Sequence, residues 1–227
     1  MTSQAPAFIY TPPKEPFLDV LYHDADLLVL NKPSGLLSVP GKAAEHKDCL
    51  ETRAQQRFPT ATTVHRLDMD TSGVMIMALN KAAHRHLGLQ FERRYTKKQY
   101  LARVWGQVAL ESGVVDLPLR CDWPNRPKQM VDHELGKPAQ THFTVLSRDA
   151  QSSVMLLKPV TGRSHQLRVH MLELGHPILG DRFYAQGEAL AAADRLQLHA
   201  HVLELRHPIG GADLRFVAAC PFLAEFG

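Results

Sequence analysis

Apolar residues along the chain fall into short runs. Leu18 to Tyr22 and Leu27 to Leu30 are two of them, joined by His23-Asp24-Ala25-Asp26, which predicts a hairpin. Asn31-Lys32-Pro33-Ser34-Gly35 stops the second strand. Val74 to Leu79 is apolar throughout, the pattern of a buried strand. Further strands are predicted at Tyr100 to Val104, Thr141 to Leu146, Val154 to Leu157, Leu198 to Leu205 and Leu214 to Ala218. Three stretches carry helical spacing. Leu50, Ala54 and Phe58 follow Asp48 as a candidate cap and end at Pro59. Ala83, Leu87 and Phe91 follow Asn80. Leu167, Met171 and Leu174 follow Ser164 as a candidate cap, with Gly175 as the stop and Pro177 just beyond.

Strands outnumber helices and do not alternate with them, so the predicted fold class is α+β, with a mixed, mainly antiparallel central sheet and flanking helices. Pro6, Pro12, Pro13 and Pro16 make residues 1–16 an irregular N-terminal arm, and residues 17–227 one globular unit. Pro118, Pro124, Pro127, Gly136 and Pro138 mark the stretch between 106 and 140 as a long functional insertion rather than a linker.

Composition narrows the class. With 44% hydrophobic and 22% charged residues the chain is an ordinary globular one, not fibrous or disordered. No run of about 18 apolar residues is present, so no membrane span is expected. No basic-then-apolar leader opens the chain, and the three cysteines, Cys49, Cys121 and Cys220, form no close pair. Both features suit a reducing cytoplasm. Lysine and arginine total 26 against 23 acids, a net +3 that names no partner. The distribution says more. Lys81, Arg85, Arg93, Arg94, Lys97, Lys98 and Arg103 face only Glu92 within 23 residues, a local +6 interleaved with Tyr95, Tyr100 and Trp105. Cations with aromatic rings suit phosphates and bases, although a solvated helix face followed by an ordinary strand gives the same composition.

Three segments carry candidate chemistry. In His65-Arg66-Leu67-Asp68-Met69-Asp70-Thr71-Ser72-Gly73 a polar loop runs into the buried strand. Asp68 and Asp70 offer a carboxylate pair, with Arg66 available to keep one ionised; on composition alone, the commoner use of such an aspartate is a turn or cap. In Lys97 to Gly106, Tyr100 can stack on a base or move a proton, or sit half-buried on a strand. In Thr161 to Met171, Arg163 lies at the positive end of a helix, where a phosphate is favoured, and Arg168 lies among apolar neighbours, where it needs an anionic partner or must reach solvent. Thirteen histidines raise the question of metal, but no His-Glu-x-x-His or Cys-x-x-Cys spacing is present, and neither phosphate-loop nor dinucleotide fingerprint occurs.

His65-Arg66-Leu67-Asp68, followed by Thr71-Ser72-Gly73, resembles the signature of the RluA-type pseudouridine synthases. Asn31 to Leu36, Lys98 to Val104, Gly162 to His170, Gly175 to Asp181 and Leu198-His199-Ala200 resemble that family's other segments, in the right order over about residues 17–222. Cys121 to Gln129 and Gly136 to Thr141 look closest to a branch that modifies uridine 746 of 23S rRNA and uridine 32 of the tRNA anticodon stem-loop. The resemblance implies a pseudouridine synthase catalytic domain with a catalytic cleft over residues 17–227, without an appended S4 domain, acting as a monomer without metal or cofactor. A paralogue acting on another uridine and a non-catalytic RNA-binding protein are the alternatives.

By motif position, the resemblance makes Asp68 the carboxylate acting near C1′ of uridine, as nucleophile or as base, with Arg168 as its pairing cation and Tyr100 stacked on the uracil. Arg66 would fill the space left by the flipped base, and Leu198 would form an apolar floor. Arg163, Lys97 and Lys98 are candidate RNA contacts. Asp70 is a departure at a variable motif position, adding a negative charge two residues from Asp68.

Overall fold

The central run of apolar residues is a strand buried on both sides, and its alternation builds two cores at once. In the computed structural model, which describes residues 9–226, β4 (Ser72–Ala78) is buried at every position. Met75 and Met77 face one side with Leu28 and Leu30; Val74, Ile76 and Ala78 face the other with Leu27 and Val29. The chain order is β1 (Val20–His23), β2 (Leu27–Lys32), α1 (Leu50–Arg57), β3 (Thr62–Thr63), β4, α2 (Lys81–Glu92), β5 (Lys97–Trp105), β6 (Ser112–Asp116), β7 (Leu119–Cys121), β8 (Gln129–Val131), β9 (Gln140–Arg148), β10 (Ser152–Pro159), α3 (Gln166–Glu173), α4 (Gly187–Ala191), β11 (Leu198–Arg206) and β12 (Asp213–Val217).

Ten strands form one sheet in the order β1-β2-β4-β11-β5-β10-β9-β6, with β3 on β4 and β12 on β11; β7 and β8 pair separately. Every pairing is antiparallel except that of β4 with β11. The mixed, mainly antiparallel α+β expectation therefore holds. α1 covers one end of the sheet through Leu50 and Ala54. α3 covers the other end through Leu167 and Met171, against Ala102, Val104, Met155 and Leu157. Tyr100 of β5 touches both cores, and this middle strip of the sheet is where a cleft opens.

Local expectations held in most places. Asn80 caps α2 by accepting from the Ala83 N–H, and Gly175 stops α3 at φ +88°. Two caps differ. Cys49, not Asp48, caps α1, because Asp48 is drawn away by a bidentate pair with Arg53 (2.6 and 2.8 Å). Ser164 does not cap α3; His165 takes that place in a left-handed conformation. The insertion between 106 and 140 holds three short strands that its prolines and polar residues had masked, and it packs on α3 through Leu119 and Ala139 against Val169 and Tyr184. Residues 1–8 of the arm lie outside the described residues; in the rest, the Tyr10 hydroxyl donates to the Asp48 carbonyl.

The parallel seam explains one motif residue. Gly73 has φ +114°, and a Cβ there would fall inside the contact shell of the Ala200 carbonyl on β11. Only glycine lets the two strands approach. Gly73→Ala is expected to lower unfolding free energy by more than about 2 kcal/mol; an unchanged urea midpoint would show that the seam tolerates a side chain.

Candidate active site

The cleft occupies about 820 Å³ and draws its walls from three separated segments: residues 65–71, the start of β5, and residues 159–168. The first wall is held by its backbone. Buried Lys32 donates from Nζ to the carbonyls of Pro33, Leu36 and Met69 (2.9, 2.7 and 2.8 Å). Ser34 donates to the Asp70 carbonyl, Gly35 N–H to Met69 and Ser38 to Leu67. Burial pushes the Lys32 amine down to about 7 against the pull of Asp70 and Asp68. Three carbonyl acceptors match the three N–H groups of its ammonium form. With its backbone satisfied in this way, the loop projects Asp68 into the cleft. His65 accepts the Ile76 N–H at Nε2 (3.1 Å) and stacks on Phe91; burial lowers it to about 3, so it is a neutral wedge.

Arg168 supplies the facing charge. Its guanidinium is 2% exposed, and Asp181, wholly buried, grips it at Nε and Nη2 (2.7 and 2.6 Å). The rings of Phe183 and Tyr184 lie 5.1 and 5.2 Å from its Cζ. The remaining Nη1 stands 3.4 Å from Asp68 Oδ2, joining residues 100 apart in the chain. Burial opposes the charge on Arg168, but the bonds and charges of Asp181 and then Asp68 raise its pKa overall. His165 Nε2 also approaches Asp68 Oδ2, at 3.9 Å. Asp68 Oδ1 has no hydrogen-bond partner among the described residues.

Tyr100 and Leu198 form the floor, and burial followed by the charge of Asp68 raises the Tyr100 phenol, which stays protonated. Arg66 and Arg163 are exposed at the rim, where Arg163 Nε donates to the Pro138 carbonyl. Lys98 lines the cleft, but Lys97 does not. Strand alternation turns Lys97 to the opposite face of β5, 81% exposed and 3.8 Å from Glu204. The local +6 is likewise divided: Arg94 and Lys98 reach the cleft, while Arg103 pairs with Asp149 elsewhere. Asp70 points away from the cleft and pairs with Arg182 Nε at 2.9 Å.

Asp181, His165 and Lys32 stand in matching segments and Tyr184 just beyond one, but none carried an assigned role in the sequence, since their importance lies in long-range contacts. One backbone signal marks two cleft residues: Arg94 and His165 are the non-glycine residues with positive φ (59° and 52°) among the described residues, and both line the cleft. Such strain gathers at functional sites. The one group of His and acidic side chains close enough to share a metal ion, among the described residues, is Asp24, Asp26 and His207, whose members bond to each other or to Tyr22 and Asn80.

A carboxylate paired with a buried arginine in a cleft with a tyrosine floor and a basic rim is an arrangement suited to chemistry on a nucleic-acid base. The chain belongs to the RNA pseudouridylate synthase family, whose model matches residues 26–173, and it is an isomerase acting on RNA. It is 62% identical, over 83% of its length and 86% of the relative's, to a protein named dual-specificity RNA pseudouridine synthase RluA of Salmonella typhimurium. Against the namesake of Vibrio vulnificus the identity is 55%, over 83% and 77%. Human RNA pseudouridylate synthase domain containing 1 superposes with a TM-score of 0.77 at 31% identity, covering 92% of this chain and 86% of that one.

Asp181→Asn would leave the buried guanidinium of Arg168 without its main partner. The expected loss is about 3 kcal/mol of stability, read as a fall in thermal midpoint; an unchanged midpoint would mean that Asp68 alone suffices.

Proposed function

We propose that the chain isomerises uridine 746 of 23S rRNA and uridine 32 of the tRNA anticodon stem-loop, with Asp68 acting at C1′. The observation that carries the site assignment is the Asp68–Arg168 pair on the cleft wall, with Oδ2 3.4 Å from Nη1. The target assignment rests on the dual-specificity names of relatives at 62% identity. The reaction breaks the N1–C1′ bond and rejoins the ring through C5, so atoms and electrons balance within the substrate. It requires a carboxylate at C1′, and Asp68 stands in the cleft against the Arg168 guanidinium.

In this reading the Tyr100 ring stacks on the uracil and its raised pKa keeps the hydroxyl protonated, which disfavours it as a base. Leu198 packs beneath the uracil. Arg66 enters the space left in the RNA stack, and Arg163, Arg94 and Lys98 meet phosphates along the rim. The enzyme would act as a monomer in the cytoplasm, a compartment that the three free cysteines suit.

Asp68→Asn is expected to abolish tritium release from 5-tritiated uridine RNA while RNA affinity stays within about threefold; substantial turnover by that variant would sink the mechanism. Pseudouridine mapping with and without the gene tests the targets, and loss of a different modification would redirect the assignment. Lys98→Ala should flatten the salt dependence of RNA binding by about 0.7 in log–log slope, and Lys97→Ala should leave it unchanged. Equal slopes for the two variants would mean that cleft position does not decide phosphate contact.

A further inference from the structure

We infer that His165 is a positioning residue for Asp68, presenting a neutral Nε2–H to Oδ2, and that Tyr184 and the β7–β8 insertion fix the tautomer this requires. The inference rests on the Asp68 assignment above and adds to it the means by which the carboxylate is oriented.

Donor accounting favours one tautomer. The backbone N–H of Gln129, at the start of β8, donates to the Tyr184 hydroxyl oxygen at 2.8 Å. The same oxygen lies 2.7 Å from Nδ1 of His165. Gln129 can only donate, so the phenolic proton must go elsewhere, and Nδ1 is the acceptor in reach among the described residues. In this arrangement Nδ1 accepts and the ring proton sits on Nε2, the tautomer the proposal assigns. The ring cannot turn freely to exchange the two nitrogens: it stacks on Phe183 with centroids 5.6 Å apart and planes at 19°, and meets Tyr184 edge-on. Burial lowers the histidine below its ordinary value, which agrees with a neutral ring.

Nε2 stands 3.9 Å from Asp68 Oδ2, the oxygen that Arg168 Nη1 also addresses. Two donors on one carboxylate oxygen fix the plane of the group and leave Oδ1 to the reacting atom. The division of charge is apt. A second full cation at this place would hold the carboxylate in its ground state, whereas a neutral N–H orients it without adding charge. The contact needs about 0.7 Å of travel to become a hydrogen bond, and catalytic hydrogen bonds commonly tighten only with substrate in place. The left-handed backbone of His165 (φ 52°) is what swings the ring toward the cleft at the head of α3. The hairpin that supplies Gln129 also carries exposed Trp123, with Arg126 4.0 Å above its ring.

The test reads the tautomer and the rate separately. In the 15N-histidine-labelled enzyme, two-bond correlation NMR should find His165 neutral with its proton on Nε2. Tyr184→Phe removes only the hydroxyl; it should shift His165 toward the Nδ1–H form and lower the single-turnover rate at saturating RNA about tenfold, with half-saturation within twofold of wild type. His165→Gln, which keeps an N–H at the place of Nε2, should retain more activity than His165→Leu, which does not; both bear the same backbone strain. A wild-type His165 found as Nδ1–H or imidazolium, a Tyr184→Phe enzyme with the wild-type rate, or equal losses in the Gln and Leu variants would each overturn the inference while leaving the Asp68 assignment standing. An active Asp68→Asn enzyme would overturn both.

Discussion

A guanidinium taken almost wholly out of water has to be answered by negative charge, and much of this molecule is arranged to do so for Arg168. Apolar neighbours Leu167 and Met171 draw α3 onto the sheet, Val169 packs against the insertion, and together they carry Arg168 inside. Removing such a charge from water costs several kcal/mol unless geometry is good on every side. Asp181 meets Nε and Nη2 in a bidentate pair, and its Oδ1 also accepts the N–H groups of Phe183 and Tyr184, which curls their rings against the guanidinium. The bond lengths rank the two carboxylates. Asp181, at 2.6 and 2.7 Å, anchors the arginine; Asp68, at 3.4 Å, draws on the charge that remains. A carboxylate locked as tightly as Asp181 would have no oxygen to spare for chemistry.

The opposite wall solves a complementary problem, that of holding a loop still while leaving its side chains unused. Residues 65–71 are fixed by their main chain, with Lys32, Ser34, Gly35 and Ser38 bonded to the carbonyls of Leu67, Met69 and Asp70. The segment Asn31 to Leu36 therefore matters to the site although it contributes nothing to the reacting face. Orientation within the loop also disposes of a concern raised by Asp70. Its charge is met by Arg182 on the far side of the loop, so Asp68 is the single carboxylate directed at Arg168 from this segment.

What could be read from the sequence followed short-range regularity. The runs at Leu27 and Val74, the caps at Asn80 and Gly175 and the signature around Asp68 are all local patterns, and each lies where it was expected. What escaped depended on partners distant in the chain. Asp48 has cap chemistry but is claimed by Arg53. Ser164 has cap chemistry, but the bend at His165 intervenes. Lys97 and Lys98 are one residue apart and on opposite faces of a strand, so sequence proximity did not show that only Lys98 lines the cleft. The strands at 112–131 are too short and too rich in proline to show a period. Lys32, Asp181 and Tyr184 act through contacts that no spacing rule anticipates.

The same limit bears on the charge. A local +6 suggested one basic surface, yet folding scatters those residues and assembles another set: Arg66 from the loop before β4, Arg94 and Lys98 from the α2–β5 junction, and Arg163 from the turn before α3. These three places come together only because β4, β5 and α3 are packed on one sheet with Asp68 and Arg168 already paired across it. Affinity for a polyanion and reactivity at one carboxylate thus rest on a single set of tertiary contacts. A net charge of +3 is sufficient for such a protein, because the cations that count are gathered by the fold around the cleft rather than accumulated along the chain.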